Sequence, residues 1–203
     1  MFAELLQERL GNWVELTPVQ VDLLQRHFEL LTRWNKILNL TSIRTEEEAV
    51  ERHYCESVFL ALHLPPGPLR VADLGSGGGF PGFPVGVMRP DCTVTLIESH
   101  HRKSVFLREA TRCLRNFEVL SARAEDVRET FDYVISRAVS YTGLVPSLKK
   151  LALCADLLTG EEMPPDDLGF AWDQAILLPW GKRRFLRCGR RKAELDPSVD
   201  LHV

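Results

Sequence analysis

The chemically most suggestive stretch of this chain is Val71–Gly82, VADLGSGGGFPG. Asp73, Gly75, Gly77 and Gly79 fall in the spacing D-x-G-x-G-x-G at the end of an apolar run. Glycines at such a point permit unusual backbone angles and let a ligand come close to the main chain. A helix that starts directly after the loop would add free N–H donors. Glu98 closes a second, β-branched run, 23 residues after Gly75. A carboxylate there can accept hydrogen bonds from both hydroxyls of a ribose. A glycine-rich turn with no ligand accounts for the loop but not for the acidic residue, so the pair points to a nucleoside or nucleotide.

Two ligand classes compete. A dinucleotide loop reads G-x-G-x-x-G, and its third glycine would stand where this chain has Phe80. That glycine normally lets the following helix pack closely on the strand, so Phe80 weakens the dinucleotide reading and, with it, a nicotinamide-dependent oxidoreductase. S-adenosylmethionine (SAM) has no pyrophosphate and needs no such glycine. Further along, Ala124 and Glu125 follow a third strand, where backbone groups can bond an adenine edge; taken alone, such a pair is more often a helix start. A fourth strand ends in ISRA, Ile135–Ala138. An N-P-P-Y-like sequence for exocyclic amines is missing there, and no cysteine nucleophile for pyrimidine carbon lies near it. Arg137 stands there instead, either a surface ion-pair partner or a cation facing an RNA phosphate or a guanine O6/N7 edge.

The elements that must hold these residues follow from periodicity. Thr17 caps a helix begun by Pro18, and Val21, Leu24, Phe28, Leu31 and Leu38 give it one apolar face to about Leu38. A second helix is predicted over 46–62, stopped by Pro65-Pro66-Gly67-Pro68. Strands are then expected over 69–74, 93–97, 117–120 and 131–135, alternating with helices over 81–88, 102–114 and 141–153. That alternation predicts an α/β, Rossmann-like, mostly parallel sheet flanked by helices. Residues 152–159 read as a fifth strand, 161–168 as a loop, and 174–178 with 184–188 as an antiparallel pair. The division expected is an N-terminal helical extension over 1–64, packed on a ligand-binding domain over 69–192, with a tail over 193–203.

The 203 residues suit one such domain, and 45% apolar residues supply an ordinary core. No apolar run is long enough to span a membrane, and the N-terminus lacks a secretory pattern. Five cysteines without a C-x-x-C pair read as free thiols in a reducing compartment, so no disulfide framework or metal is expected. The expected setting is the cytoplasm and the expected state a monomer. Net charge is −3, yet KRRFLRCGRRK over 182–192 holds seven basic residues and no acidic one. That strip reads equally as a phosphate-attracting patch or as a charge-blunted edge strand.

Taken together, the motifs resemble the RsmG (GidB) family of small-subunit (16S) rRNA guanine-N7 methyltransferases. The likeness spans about Leu31 to Val139. It includes WNK at 34–36, LNLTSI at 38–43, RHYCES at 52–57 and DLGSGGGFPGFP at 73–84. It continues through Glu98-Ser99, Arg102-Lys103, Phe106-Leu107, Arg123-Ala124-Glu125 and Ser136-Arg137-Ala138. The resemblance implies a class I SAM-dependent fold, with SAM held by Gly75, Phe80, Ala124, Glu125 and Arg137. Gly77 and Glu98 join them on the physical argument above. Asn39, His53, Arg102 and Lys103 are implied to lie nearer the RNA. The guanine N7 acceptor that the resemblance implies carries an in-plane lone pair at neutral pH, so no dedicated proton-transfer residue is expected, and Arg137 is the candidate for steering the acceptor. Two stretches depart from the family: Ser99 leads into His100-His101, and the segment 149–168 lacks the usual glycine-rich turn and lysine-glycine pair. The second departure keeps open a SAM- or RNA-binding protein of this fold with another target or no turnover.

Overall fold

The computed structural model describes residues 1–43, 45–137, 140–165 and 168–192; the tail expected over 193–203 lies outside them. Helix α2 (Pro18–Leu38) begins as the sequence predicts. Gln20 N donates to Thr17 Oγ1 at 3.3 Å and Thr17 N to Gln20 Oε1 at 2.9 Å, a reciprocal capping box. The preceding helix α1 (Phe2–Leu10) was not anticipated. Its buried Phe2, Leu6 and Leu10 recur every four residues, and Phe2 stacks on Phe28 of α2 with centroids 4.6 Å apart. The single helix expected over 46–62 is instead three pieces: α3 (Glu46–Ala49), a π-helical stretch over Val50–Cys55, and α4 (Glu56–His63). Wider π turns inside helices often sit at functional sites, and this one carries Arg52 and His53.

The sheet strands are β1 (Arg70–Leu74), β2 (Thr93–Ile97), β3 (Phe117–Leu120), β4 (Phe131–Arg137) and β5 (Ala152–Thr159), with β6 (Phe170–Trp172), β7 (Ile176–Leu177) and β8 (Phe185–Arg191). Their order is β3-β2-β1-β4-β5-β8-β6, with β7 also on β8. The first five run parallel; β8 joins β5, β6 and β7 antiparallel. Helices α5 (Gly82–Met88), α6 (His101–Thr111) and α7 (Tyr141–Leu151) connect them. Alternate strand residues feed two hydrophobic clusters. Val71, Leu96, Ile135 and Leu158 share one with residues of α1, α2, α4, α5 and α6, whereas Ala72, Ile97, Val134 and Leu157 face α7. The helices of 1–64 thus bury their apolar face in the same cluster as one face of the sheet.

Strand order reverses between β1 and β4, the place where open α/β sheets bind ligands beyond their carboxyl ends. Leu74 pairs with Ile97 on one side and Ser136 on the other. Gly75, Glu98 and Arg137 therefore leave the sheet at one level.

One expectation is corrected here. The basic strip is not an edge strand, because β8 lies between β5 and β6. Its cations divide: Arg187 is buried and Arg184 half-buried, whereas Lys182, Arg183, Arg190, Arg191 and Lys192 are exposed. Arg187, only 3% exposed, donates to Thr159 Oγ1, Met163 Sδ and the Glu161 carbonyl, and Arg191 donates to the Lys149 carbonyl.

Candidate functional site

The glycine loop turns sharply through Gly75, Gly77 and Gly79, with φ of 71°, 54° and 89°, values that L side chains rarely adopt. Glu98 is buried beneath it: Oε2 accepts from Gly77 N at 2.9 Å and Oε1 from His100 N at 2.7 Å. The carboxylate thus fixes the loop while each oxygen keeps a second lone pair. Asp73 sits deeper. Its Oδ2 accepts from Gly82 N at 3.0 Å, and burial pushes its carboxyl up to about 7. A Cβ on Gly82 would meet Leu96 at 2.4 Å and Asp73 Oδ2 at 2.6 Å. The close helix–strand approach that a dinucleotide loop gives to its third glycine is made here two residues later, at Gly82.

The free donors expected at the helix start are not there. Gly82 N is taken by Asp73, and Phe83 N and Val85 N bond Gly79 O and Pro81 O. The loop offers shape and backbone access rather than a helix N-terminus.

Two clefts meet at Gly75. The first, about 300 Å³, is lined by Leu74, Ile97, Ser99, Ala122, Arg123, Ala124, Glu125, Gly143 and Leu144. Ala124 and Glu125 occupy a single 3₁₀ turn whose own bonds engage Asp126 N and Val127 N. The second, about 290 Å³, is lined by Leu40–Ile43, Arg52, His53, Gly75–Gly78, Phe80, Arg137 and Arg184. Among the described residues its wall has three arginines and no acidic residue.

What holds two of those arginines is a carboxylate behind the wall. Glu56 is fully buried and accepts from Arg184 Nε at 2.6 Å and Arg184 Nη2 at 2.7 Å, a two-pronged pair across the fold. Arg137 Nε stands 3.8 Å from Oε2 of the same carboxylate, with 8% of its side chain exposed. Burial pushes the Arg137 guanidinium down to about 10, Glu56 opposing and Arg184 and Arg52 adding to the fall, so it stays charged at neutral pH. Two cations share one anion, and the surplus positive charge faces the cleft. Arg52 is bridged to Glu48 at 2.5 Å, and its buried Nε has no hydrogen-bond partner among the described residues. His53 stacks flat on Phe80, centroids 4.3 Å apart, and Arg137 bonds its Nδ1.

A profile of the GidB family, described as rRNA small subunit methyltransferase G, matches residues 20–153. The chain is 44% identical over 183 residues to the ribosomal RNA small subunit methyltransferase G of Chromobacterium violaceum, covering 88% of this chain and 85% of that one. It is 41% identical over 153 residues to the namesake from Nitrosospira multiformis, covering 72% and 67%. The chain belongs to the GidB family.

Among solved structures, the GidB chain has the fold of a SAM-dependent methyltransferase from Aquifex aeolicus. The TM-score is 0.56 at 16% identity, over 78% of this chain and 97% of that one. It is similar also to Aeropyrum pernix fibrillarin with natively bound SAM, at TM-score 0.53 and 14% identity, over 66% and 73%. The profile stops at residue 153, close to where the sequence departs from the family pattern. Part of that departing segment, β5, is nonetheless an interior strand between β4 and β8.

Within this GidB fold, six of the seven residues expected at the cofactor line the clefts: Gly75 both, Gly77, Phe80 and Arg137 the arginine side, Ala124 and Glu125 the other; Glu98 lines neither and is bonded to Gly77 N. The four RNA candidates separate. His53 is buried in the arginine cleft rather than exposed. Asn39 is the left-handed C-cap of α2 and lines a polar recess with Asn35, Thr41, Ser42 and Ile43. Arg102 and Lys103 ride on the first turn of α6 and line neither cleft. Sequence reasoning missed Thr41, Arg52, Glu56 and Arg184 as site residues. The first three stand inside blocks that carried the family resemblance, whereas Arg184 gave no signal beyond the basic strip.

Proposed function

We propose that the two clefts meeting at Gly75 form one site for SAM and its acceptor, and that the chain methylates N7 of a guanine in small-subunit rRNA. The observation that carries this reading is the pair of unlike clefts on the switch-point rim, joined through Gly75. The small-walled cleft at Ala122, Ala124 and Leu144 suits an adenosyl group, and the Arg137 side suits carboxylate and acceptor oxygens. The fit rests on features of the chain itself: open glycine backbone at Gly75 and Gly77, spare lone pairs on Glu98, and an unpaired buried donor on Arg52. Bound SAM supplies a methyl group on a sulfonium, an electrophile that an unprotonated ring nitrogen can attack directly.

Ala124 and Glu125 would offer main-chain groups to the adenine edge, and Glu98 its spare lone pairs to ribose hydroxyls. Arg137, held by Glu56, would orient the acceptor with its charge intact. His53 is kept neutral, first by burial and then by Arg137 and Arg52, so it offers no acidic proton at neutral pH, and Arg137 occupies the Nδ1 lone pair that a base would use. That agrees with chemistry needing no general base. We infer further that 1–64 and 69–192 work as one unit, as a cytoplasmic monomer.

The test is incubation of the protein with labelled SAM and undermethylated small-subunit rRNA or particles, followed by digestion to nucleosides. N7-methylguanosine is the expected product. A ribose or exocyclic methyl would overturn the N7 assignment, and tight SAM binding without product would favour a binding module.

A further inference from the structure

N7 is an acceptor in both purines, so an enzyme that methylates guanine N7 needs something that reads position 6, where guanine carries an acceptor oxygen and adenine an amino donor. The arginine cleft contains a group whose hydrogen bonding leaves it one option. An arginine can only donate, so the Arg137–His53 contact makes His53 Nδ1 an acceptor. The neutral ring must then carry its proton on Nε2, which lies 2.7 Å from Thr41 Oγ1 and donates to it. Ile43 N donates to the same oxygen at 3.1 Å. Both lone pairs of the Thr41 hydroxyl are thereby used, and its own proton is left to donate. The residue is fixed from a third side, since Thr41 N donates to Asn35 Oδ1 at 2.8 Å.

Its location is as particular as its bonding. Thr41 and Ile43 line the arginine cleft, the recess of Asn35, Asn39 and Ser42, and a groove running to Phe28, Thr32 and Lys36. Thr41 is therefore the point where an acceptor arriving over the helical surface would meet the cleft that reaches Gly75. The recess wall is made of neutral hydrogen-bonding groups and Ile43, as suits a base edge rather than a phosphate.

We propose, on the functional reading above, that Thr41 recognises the acceptor base by donating its hydroxyl proton to guanine O6. His53 and Arg137 serve it as positioning residues: Glu56 holds Arg137, Arg137 sets the His53 tautomer, and His53 turns the hydroxyl outward. Opposite an adenine amino group, the same hydroxyl would place donor against donor.

The test combines an enzyme change with a base change. After the modified guanine has been mapped, rRNA is assembled by ligation with 2-aminopurine or hypoxanthine at that position. 2-Aminopurine keeps N7 and lacks O6; hypoxanthine keeps both. Wild-type protein is expected to favour guanine and hypoxanthine over 2-aminopurine by about tenfold to a hundredfold in kcat/KM, the worth of one good hydrogen bond. Thr41→Val should lose most of that preference, Thr41→Ser should keep it, and SAM affinity should stay within about twofold of wild type in both. A merely structural Thr41 would lower all three substrates together and leave the ratio alone, which overturns the proposal. A fall in SAM affinity matching the fall in activity overturns it too, because the hydroxyl would then serve the cofactor's carboxylate. Failure of the functional reading shows separately, as absence of N7-methylguanosine from the wild-type reaction.

Discussion

The two clefts at Gly75 are built by opposite strategies. The one at Ala124 is made from short connections after consecutive parallel strands, with mostly small side chains and an Arg123–Glu125 ion pair that leaves no net charge, a wall suited to selection by shape. The one at Arg137 gathers side chains from residues 41, 52, 53, 80, 137 and 184 and selects by charge and hydrogen-bond direction. The first needs little more than the sheet. The second needs a buried carboxylate, Glu56, to hold two like charges side by side. Positive charge concentrated at a site is costly, and here the cost is offset behind the wall rather than on it.

Removing Glu56 should separate the clefts most strongly. Glu56→Ala leaves Arg137 and Arg184 with an uncompensated charge in a buried setting, at a cost of about 3–5 kcal/mol. Urea unfolding should show that loss, and methylation should collapse in whatever fraction stays folded. A variant as stable as wild type would mean that the arginines find other partners and that the carboxylate is dispensable. A smaller effect is expected from narrowing the neutral cleft. Ala124→Leu should weaken SAM binding about tenfold, roughly 1.4 kcal/mol, while rRNA affinity holds; calorimetry with each ligand separates the two. Unchanged SAM affinity would place the adenosyl group elsewhere.

The smallest expected effect concerns acid. Burial holds His27, stacked on Phe83, down at about 3, and His53 well below its ordinary value. Unfolded histidines take up protons near pH 6.5 and these folded ones do not, so the stability they contribute is present above pH 6.5 and lost as pH falls below it. Asp73 and Asp156 act in the opposite sense. Burial raises each to about 7, so the folded chain protonates them first and gains stability as pH falls from 7 towards the ordinary carboxylate range. The opposing pairs should make wild-type stability nearly flat between pH 6.5 and 4.5. His27→Gln removes one histidine and should gain on the order of 1 kcal/mol relative to wild type between pH 6.5 and 5.5. Parallel stability curves for the two proteins would show that His27 protonates in the fold.

The glycine loop and the strand ends on both sides of Gly75 were legible in the sequence, and the Glu56–Arg184 clamp behind the arginine cleft was not, for a physical reason. Strands β1 to β5 and their glycine turn are local: period, turn residues and strand ends announce them within a few positions. The Glu56–Arg184 pair joins residues 128 apart, and neither neighbourhood carries a pattern that depends on the other. Helix α1 was readable from Phe2, Leu6 and Leu10 but short enough to miss. The three-residue β6 exists only through its pairing with β8, and the π-helical stretch over Val50–Cys55 looks like ordinary helix to any periodicity argument. Arg137 was named from its strand end and lines the cleft, yet its neighbours decide what it can do.

The position of β8 also gives the protein a timetable. Chains are made from the amino end, and the glycine loop, Glu98 and the Ala124 turn are all in hand before residue 184 exists. Strand β8, which Arg184 immediately precedes, must then enter beside β5 and receive β6 and β7 on its free edge. A growing chain can thus shape its neutral cleft early, while the charged one waits for the last strand. An incomplete copy would hold the pieces for recognising a cofactor without the clamp that readies it to act.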